Sequence, residues 1–162
     1  MAFRRVLCAV DFFPESLEAF RVAAELARLH SGSLHVIHVM EAQPVVSEWL
    51  PINGLGEVAI QLVEKANAAM EALVASAESS LRGVSLTTEV TTGRAFVEIL
   101  DRAQKWRAEL IVLGSQGAPL LEKLVLGSTA ERVMKAASCS ALITRPPQRS
   151  VRTEVSRVHG NG

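Results

Sequence analysis

The chain has 162 residues, 49% of them apolar and only 4% aromatic, with no tyrosine. That is the length of one domain, with a core built from Leu, Val, Ile and Ala as in parallel sheets buried under Ala-rich helices. Lys plus Arg (17) balance Asp plus Glu (17), which leaves no general electrostatic footprint for nucleic acid or an anionic membrane. No apolar stretch approaches the roughly 20 residues of a membrane span. The start MAFRRVLCAVDFF runs into a strand pattern without a cleavage site, so a cytoplasmic location is expected.

Arg5 to Val10 (RVLCAV) is a short β-rich run ending at Asp11, and from Pro14 onward Leu17, Phe20, Ala24, Ala27 and Arg28 recur at helical spacing. Pro14 suits a first helical turn, and Gly32 is expected to close the helix. Ser33 to Met40 reads as a second strand, and Glu41 to Gly56, with Pro44, Pro51, Gly54 and Gly56, as a long loop. Glu57 to Leu81 is expected to be an Ala-rich helix with Ile60, Val63, Ala66, Met70, Leu73 and Ala77 on its buried stripe, ended by Arg82-Gly83.

Val84 to Thr91 alternates like an edge strand, and Ala95 to Trp106 is a helix carrying Phe96, Ile99, Leu100 and Ala103. Leu110 to Leu113 (LIVL) is wholly apolar, hence central. After a loop of short helical character, Ser128 to Ala137 forms a helix and Ser140 to Thr144 a last strand. Strict β–α alternation implies an α/β, Rossmann-like three-layer sandwich of parallel strands joined by right-handed crossovers, with ligands expected beyond the carboxyl ends of the strands. Cys8 and Cys139 fall two strand spacings apart, about 9–10 Å, too far for a disulfide. His35 and His38 point to opposite faces of one strand, which argues against a shared metal site; His30 sits at a helix end that favours positive charge.

The chemistry concentrates after LIVL. Gly114-Ser115-Gln116-Gly117 is followed by nine residues, Ala118 to Leu126, and then Gly127-Ser128-Thr129 opens a helix. Gly114 and Gly117 lack a Cβ, so the backbone is free to take left-handed angles and to let a phosphate approach its amides. Ser128 and Thr129 offer hydroxyls, free amides and the positive end of a helix dipole. Charge-assisted hydrogen bonds contribute about 1.5–3 kcal/mol each, so three or four such donors supply much of a micromolar affinity, about 8 kcal/mol. Asp11, at the end of the first strand, is the acceptor for a ribose hydroxyl or adenine amino group. A Walker-type Gly-x4-Gly-Lys-Ser/Thr is absent, and Lys123 reads as a solvated charge.

With these residues the chain resembles the nucleotide-binding branch of the universal stress protein family, whose pattern is Gly, two residues, Gly, nine residues, Gly-Ser or Gly-Thr. The likeness also takes in VLCAVDF, LHVIHV, GRAFVEIL and GSTAERVMKAASCSALITRP. It implies a domain over residues 1–146, strand order 3-2-1-4-5 and an ATP, ADP or AMP-type ligand with Mg²⁺. The resemblance also assigns roles: Ala9, Val10 and Asp11 meet the adenosine, Val39 and Met40 line the base pocket, and Leu113 lies beneath it. Gly114, Gly117, Gly127, Ser128, Thr129 and Ala130 face ribose and phosphates. Where the family often has a serine that starts the first helix, this chain has Phe13, which removes a cap and adds bulk at the pocket rim.

Nothing in the sequence resembles a catalytic engine: no Ser–His–Asp set, no carboxylate placed to activate water, no base aimed at a leaving phosphate. The expected role is therefore a stress-response regulatory module that signals by occupancy, with a slow ATPase or a ligand-free dimeric scaffold as alternatives. Ser140 to Thr144 is an apolar edge, expected to pair with a second copy in a homodimer. The tail over residues 147–162, with Arg149, Arg152 and Arg157 against Glu154, reads as a basic, solvated end.

Overall fold

A computed structural model describes residues 2–41, 52–116 and 126–146, with side chains from residue 56 in the second span. Strands β1 (Arg5–Ala9), β2 (Ser33–Met40), β3 (Ser85–Thr92), β4 (Leu110–Gly114) and β5 (Ser140–Thr144) alternate with helices α1 (Pro14–Leu29), α2 (Ile52–Ser76), α3 (Ala95–Trp106) and α4 (Ser128–Ala136). The strands form one parallel sheet in the order β3-β2-β1-β4-β5. The chain reverses direction across the sheet between β1 and β4, and the carboxyl ends of these two strands open a crevice.

Side chains alternate across the sheet and build two cores. Val6, Cys8, Leu34, Val36 and Val112 pack under α1 and α2, against Phe20, Ala23, Ala27, Met70 and Leu73. Leu7, Ile37, Ile111 and Leu113 pack under α3 and α4, against Ile99, Ala103, Ala130 and Val133. Alanines on α1 let that helix sit close to the sheet, where burial of aliphatic side chains contributes about 25 cal/mol per Å² of apolar surface. Cys8 and Cys139 are free thiols; burial pushes both up, Cys8 most. His35 and His38 lie on opposite faces, the first against Trp106 and the second against Phe12.

Several expectations need correction. The left-handed residue closing α1 is Ser31 (φ 49°), not Gly32; Gly32 is needed because a Cβ there would lie 2.7 Å from the Arg4 carbonyl oxygen. Helix α2 begins at Ile52, inside the expected loop, because propagation of a long helix outweighs the modest propensity cost of Gly54 and Gly56 near its start. The rest of that loop, 42–51, lies outside the described residues. Helix α2 also ends early, at Ser76, whose hydroxyl bonds the Leu73 carbonyl (2.7 Å), and turns carry the chain to Gly83.

The α2 stripe is right only in its second half. Ala66, Met70 and Leu73 are buried, whereas Ile60 is 60% and Val63 36% exposed. On α1, Leu17 (41%) and Arg28 are likewise exposed, and the buried face is Ser16, Ala19, Phe20, Ala23, Ala24 and Ala27.

Candidate functional site

At the carboxyl ends of β1, β2 and β4 lies a cleft of about 390 Å³. Ala9, Val10, Ile37, Val39 and Leu113 give it an apolar floor, and Ala95 and Ile99 of α3 form one wall. Gly114, Ser115, Gln116, Gly127, Ser128, Thr129 and Ala130 form the wall that faces β1, where Asp11 and Ser16 stand. Of the described residues singled out in the sequence, all but Met40 line this cleft. Met40 is engaged elsewhere through its carbonyl, which accepts the Gly93 amide (3.1 Å). Gly117 and Lys123 lie outside the described residues.

The turn after β1 presents Asp11. The Val10 amide continues the sheet to the Ile37 carbonyl (2.9 Å). The Asp11 amide donates to Ser16 Oγ (3.1 Å), and that hydroxyl donates to the Phe13 carbonyl (3.0 Å). Phe13 is the N-cap of α1 and makes no side-chain cap. Asp11 Oδ1 compensates by accepting the Phe13 amide (3.0 Å), so among the described residues Oδ2 is the carboxylate oxygen without a hydrogen bond. Phe13 is 38% exposed and stands outside the cleft lining, so the expected bulk at the rim is not there.

Helix α4 aims its N-terminus into the cleft from an extended Gly127 (φ −63°, ψ 149°). The first intrahelical bond runs from the Glu131 amide to the Gly127 carbonyl (2.9 Å), which leaves the amides of Ser128, Thr129 and Ala130 ahead of it in the first turn. The helix dipole adds positive potential at the same place. Two amides on this wall are already engaged, that of Gly127 among those expected to face a polyanion. The Ser115 amide extends the sheet to the Thr144 carbonyl (2.9 Å), and the Gly127 amide bonds the Ser115 carbonyl (2.7 Å). Gly114 also has a packing purpose: a Cβ there would meet the Glu15 backbone at 2.8 Å, so the missing side chain lets β4 approach the start of α1.

Ser16, Ile37, Ala95, Ile99, Ser115 and Gln116 line the cleft without having been singled out as site residues. Ile37 carried a signal, since it shares a strand face with Val39 two positions on. Ala95 and Ile99 carried one too, as successive turns of one helix. Ser16 carried none, because its contact with the Asp11 amide depends on how the turn folds back.

The model of the universal stress protein family matches residues 2–145. This chain belongs to the universal stress protein family. A universal stress protein of Methanocaldococcus jannaschii is 33% identical over 148 residues, 91% of this chain and 85% of that one. The solved structure of universal stress protein UspA from Lactobacillus plantarum superposes with a TM-score of 0.75 at 24% identity, covering 90% of this chain and 99% of that one. The universal stress protein from Archaeoglobus fulgidus in complex with dAMP superposes with a TM-score of 0.61 at 20% identity, covering 90% of this chain and all of that one (100%). At these identities the structural likeness is one of fold. Its five-stranded order and crossovers are those of the universal stress protein domain. Among the described residues no helix is long and apolar enough to cross a membrane, and no group of three or more His, Cys, Asp or Glu is placed to hold a metal ion.

Proposed function

We propose that this universal stress protein binds an adenine nucleotide, ATP or its ADP or AMP relatives, in the cleft between β1 and β4 and acts as a cytoplasmic regulatory module read by its occupancy. One observation carries the reading: an apolar floor, a carboxylate oxygen at Asp11 without a hydrogen bond, and the open first turn of α4 converge on a single cleft. The chemistry fits the parts of the ligand. A purine surface matches Val39, Ile37 and Leu113, a ribose hydroxyl matches Asp11 Oδ2, and phosphates match the amides of Ser128 to Ala130 with the hydroxyls of Ser128 and Thr129. The relative in complex with dAMP supports an adenylate as the class of ligand.

Asp11 is the only charged side chain among the described lining residues, so a triphosphate brings repulsion that a divalent cation relieves. Mg²⁺ is the hard cation suited to phosphate oxygens and water. Asp11 is assigned to the ribose in this reading, and the bound state itself is the output, transmitted through a homodimer formed by the β5 edge. The domain spans residues 1–146 and the basic tail follows it.

Calorimetry of ligand-free protein tests this. ATP with Mg²⁺ is expected to bind one to one, and Asp11→Ala to weaken it about tenfold, the loss of one charge-assisted hydrogen bond. A folded protein that gives no heat with ATP, ADP or AMP contradicts the reading. Steady multiple-turnover phosphate release would replace occupancy with catalysis.

A further inference from the structure

Phe12 has a left-handed backbone (φ 66°), a region that bulky L side chains avoid and glycine enters freely. It directly follows Asp11, the charged residue of the cleft, so the cleft's carboxylate hangs from a strained turn. Such a conformation persists only where the surroundings over-determine it.

What holds it lies on the other side of the sheet. The Phe12 ring packs against the apolar cluster under α1 and α2 and sits 4.6 Å from the His38 imidazole, tilted by 41°. His38 Nδ1 in turn donates to the Val10 carbonyl (2.8 Å). One residue before Asp11 and one residue after it are thus both gripped by His38. From the cleft side, Ser16 Oγ takes the Asp11 amide and Asp11 Oδ1 takes the Phe13 amide. The carboxylate then has little rotational freedom left.

We infer that the Phe12–His38 pair is a positioning device: the aromatic ring, docked on the far face of the sheet, holds a left-handed turn that fixes the Asp11 carboxylate toward the cleft. This rests on the reading that the cleft takes an adenine nucleotide. A glycine in place of Phe12 keeps the same backbone angles without strain but leaves the turn free to leave them, which separates the ring's grip from the turn's geometry.

Two measurements on the full chain test it. The first is ATP affinity by calorimetry in Phe12→Gly, Phe12→Tyr and His38→Ala, each made with Asp11 intact and in the Asp11→Ala background. Phe12→Gly and His38→Ala are expected to weaken binding about tenfold with Asp11 present and no more than about twofold without it, the non-additivity of residues that act as a unit. Phe12→Tyr, which keeps the ring, is expected to bind as the unaltered protein does. Equal weakening in both backgrounds, or none in either, overturns the inference and leaves the nucleotide reading standing; absence of binding by the unaltered protein overturns both.

The second measurement needs no ligand. The Phe13 amide, held by Asp11 Oδ1, is expected to exchange its hydrogen faster in Phe12→Gly and at the original rate in Phe12→Tyr. Unchanged exchange in Phe12→Gly overturns the positioning role even if nucleotide affinity falls.

Discussion

Gly114 lies where β4 meets the first turn of α1, and any side chain there meets backbone rather than a movable group. Gly114→Ala is therefore expected to destabilise the fold by about 1–3 kcal/mol, the usual cost of overpacking, as read by urea unfolding. The sequence marks this glycine through its spacing from Gly127 and offers phosphate access as its reason, but not the packing one. The contact with Glu15 joins residues far apart in the chain, and no local pattern encodes it. Asp11 and Ser128 were legible because strand ends and helix starts announce themselves, and Val39 through the family resemblance; the Ser16 hydroxyl under the Asp11 amide was not.

His35 gives a second test at this scale. Its Nε2 donates to Glu89 (3.1 Å), which also pairs with Arg102, so in the neutral ring Nδ1 accepts the Thr87 hydroxyl (2.6 Å). Burial, partly offset by Glu89, holds the ring below the 6.5 of a free imidazole. Below about pH 6.5 the unfolded chain takes up a proton that the folded chain resists, so stability falls as pH drops; above it both states are neutral and this contribution is flat. His35→Gln is expected to flatten the urea midpoint between about pH 7.5 and 5.5, above the range where the paired carboxylates titrate. A slope unchanged by the substitution rules out His35 as its source.

Among elements, strands and the short helices were readable to within a residue or so, because β-branched runs and 3.6-residue spacing report burial directly. Helix α2 was not. At 25 residues and about 1.5 Å per residue it spans about 37 Å, longer than strands of eight residues or fewer, so a single sheet face does not cover its whole length. Ile60 and Val63 stay exposed although their spacing is that of a buried stripe; periodicity shows which side is apolar, not whether anything covers it.

Strand β5 allows a sharper experiment. The Ser115 amide bonds the Thr144 carbonyl, so Thr144 and Leu142 turn their main-chain groups toward β4, while Ala141 and Ile143 turn theirs to the open edge. Ala141→Pro removes an outward donor and leaves the β4 ladder intact. In light scattering it is expected to convert the proposed dimer to monomer with helical content preserved. A dimer that persists in the variant places the interface elsewhere.

For the whole molecule, parallel strands and crossover handedness follow from β–α alternation, whereas the strand order, which the family resemblance implies, sets β1 beside β4 and brings Asp11 and Ser128 to one crevice from distant parts of the sequence. The fold thereby turns two short, ordinary segments into opposing walls, which is why the cleft was foreseeable before its individual contacts were. Amide shifts of isotopically labelled protein titrated with ATP and Mg²⁺ test the central claim most directly. The account expects saturable, one-to-one changes that are largest at Ala9, Asp11, Val39 and Ser128 to Ala130. No change there, or changes centred on the α1–α2 side of the sheet, would contradict it.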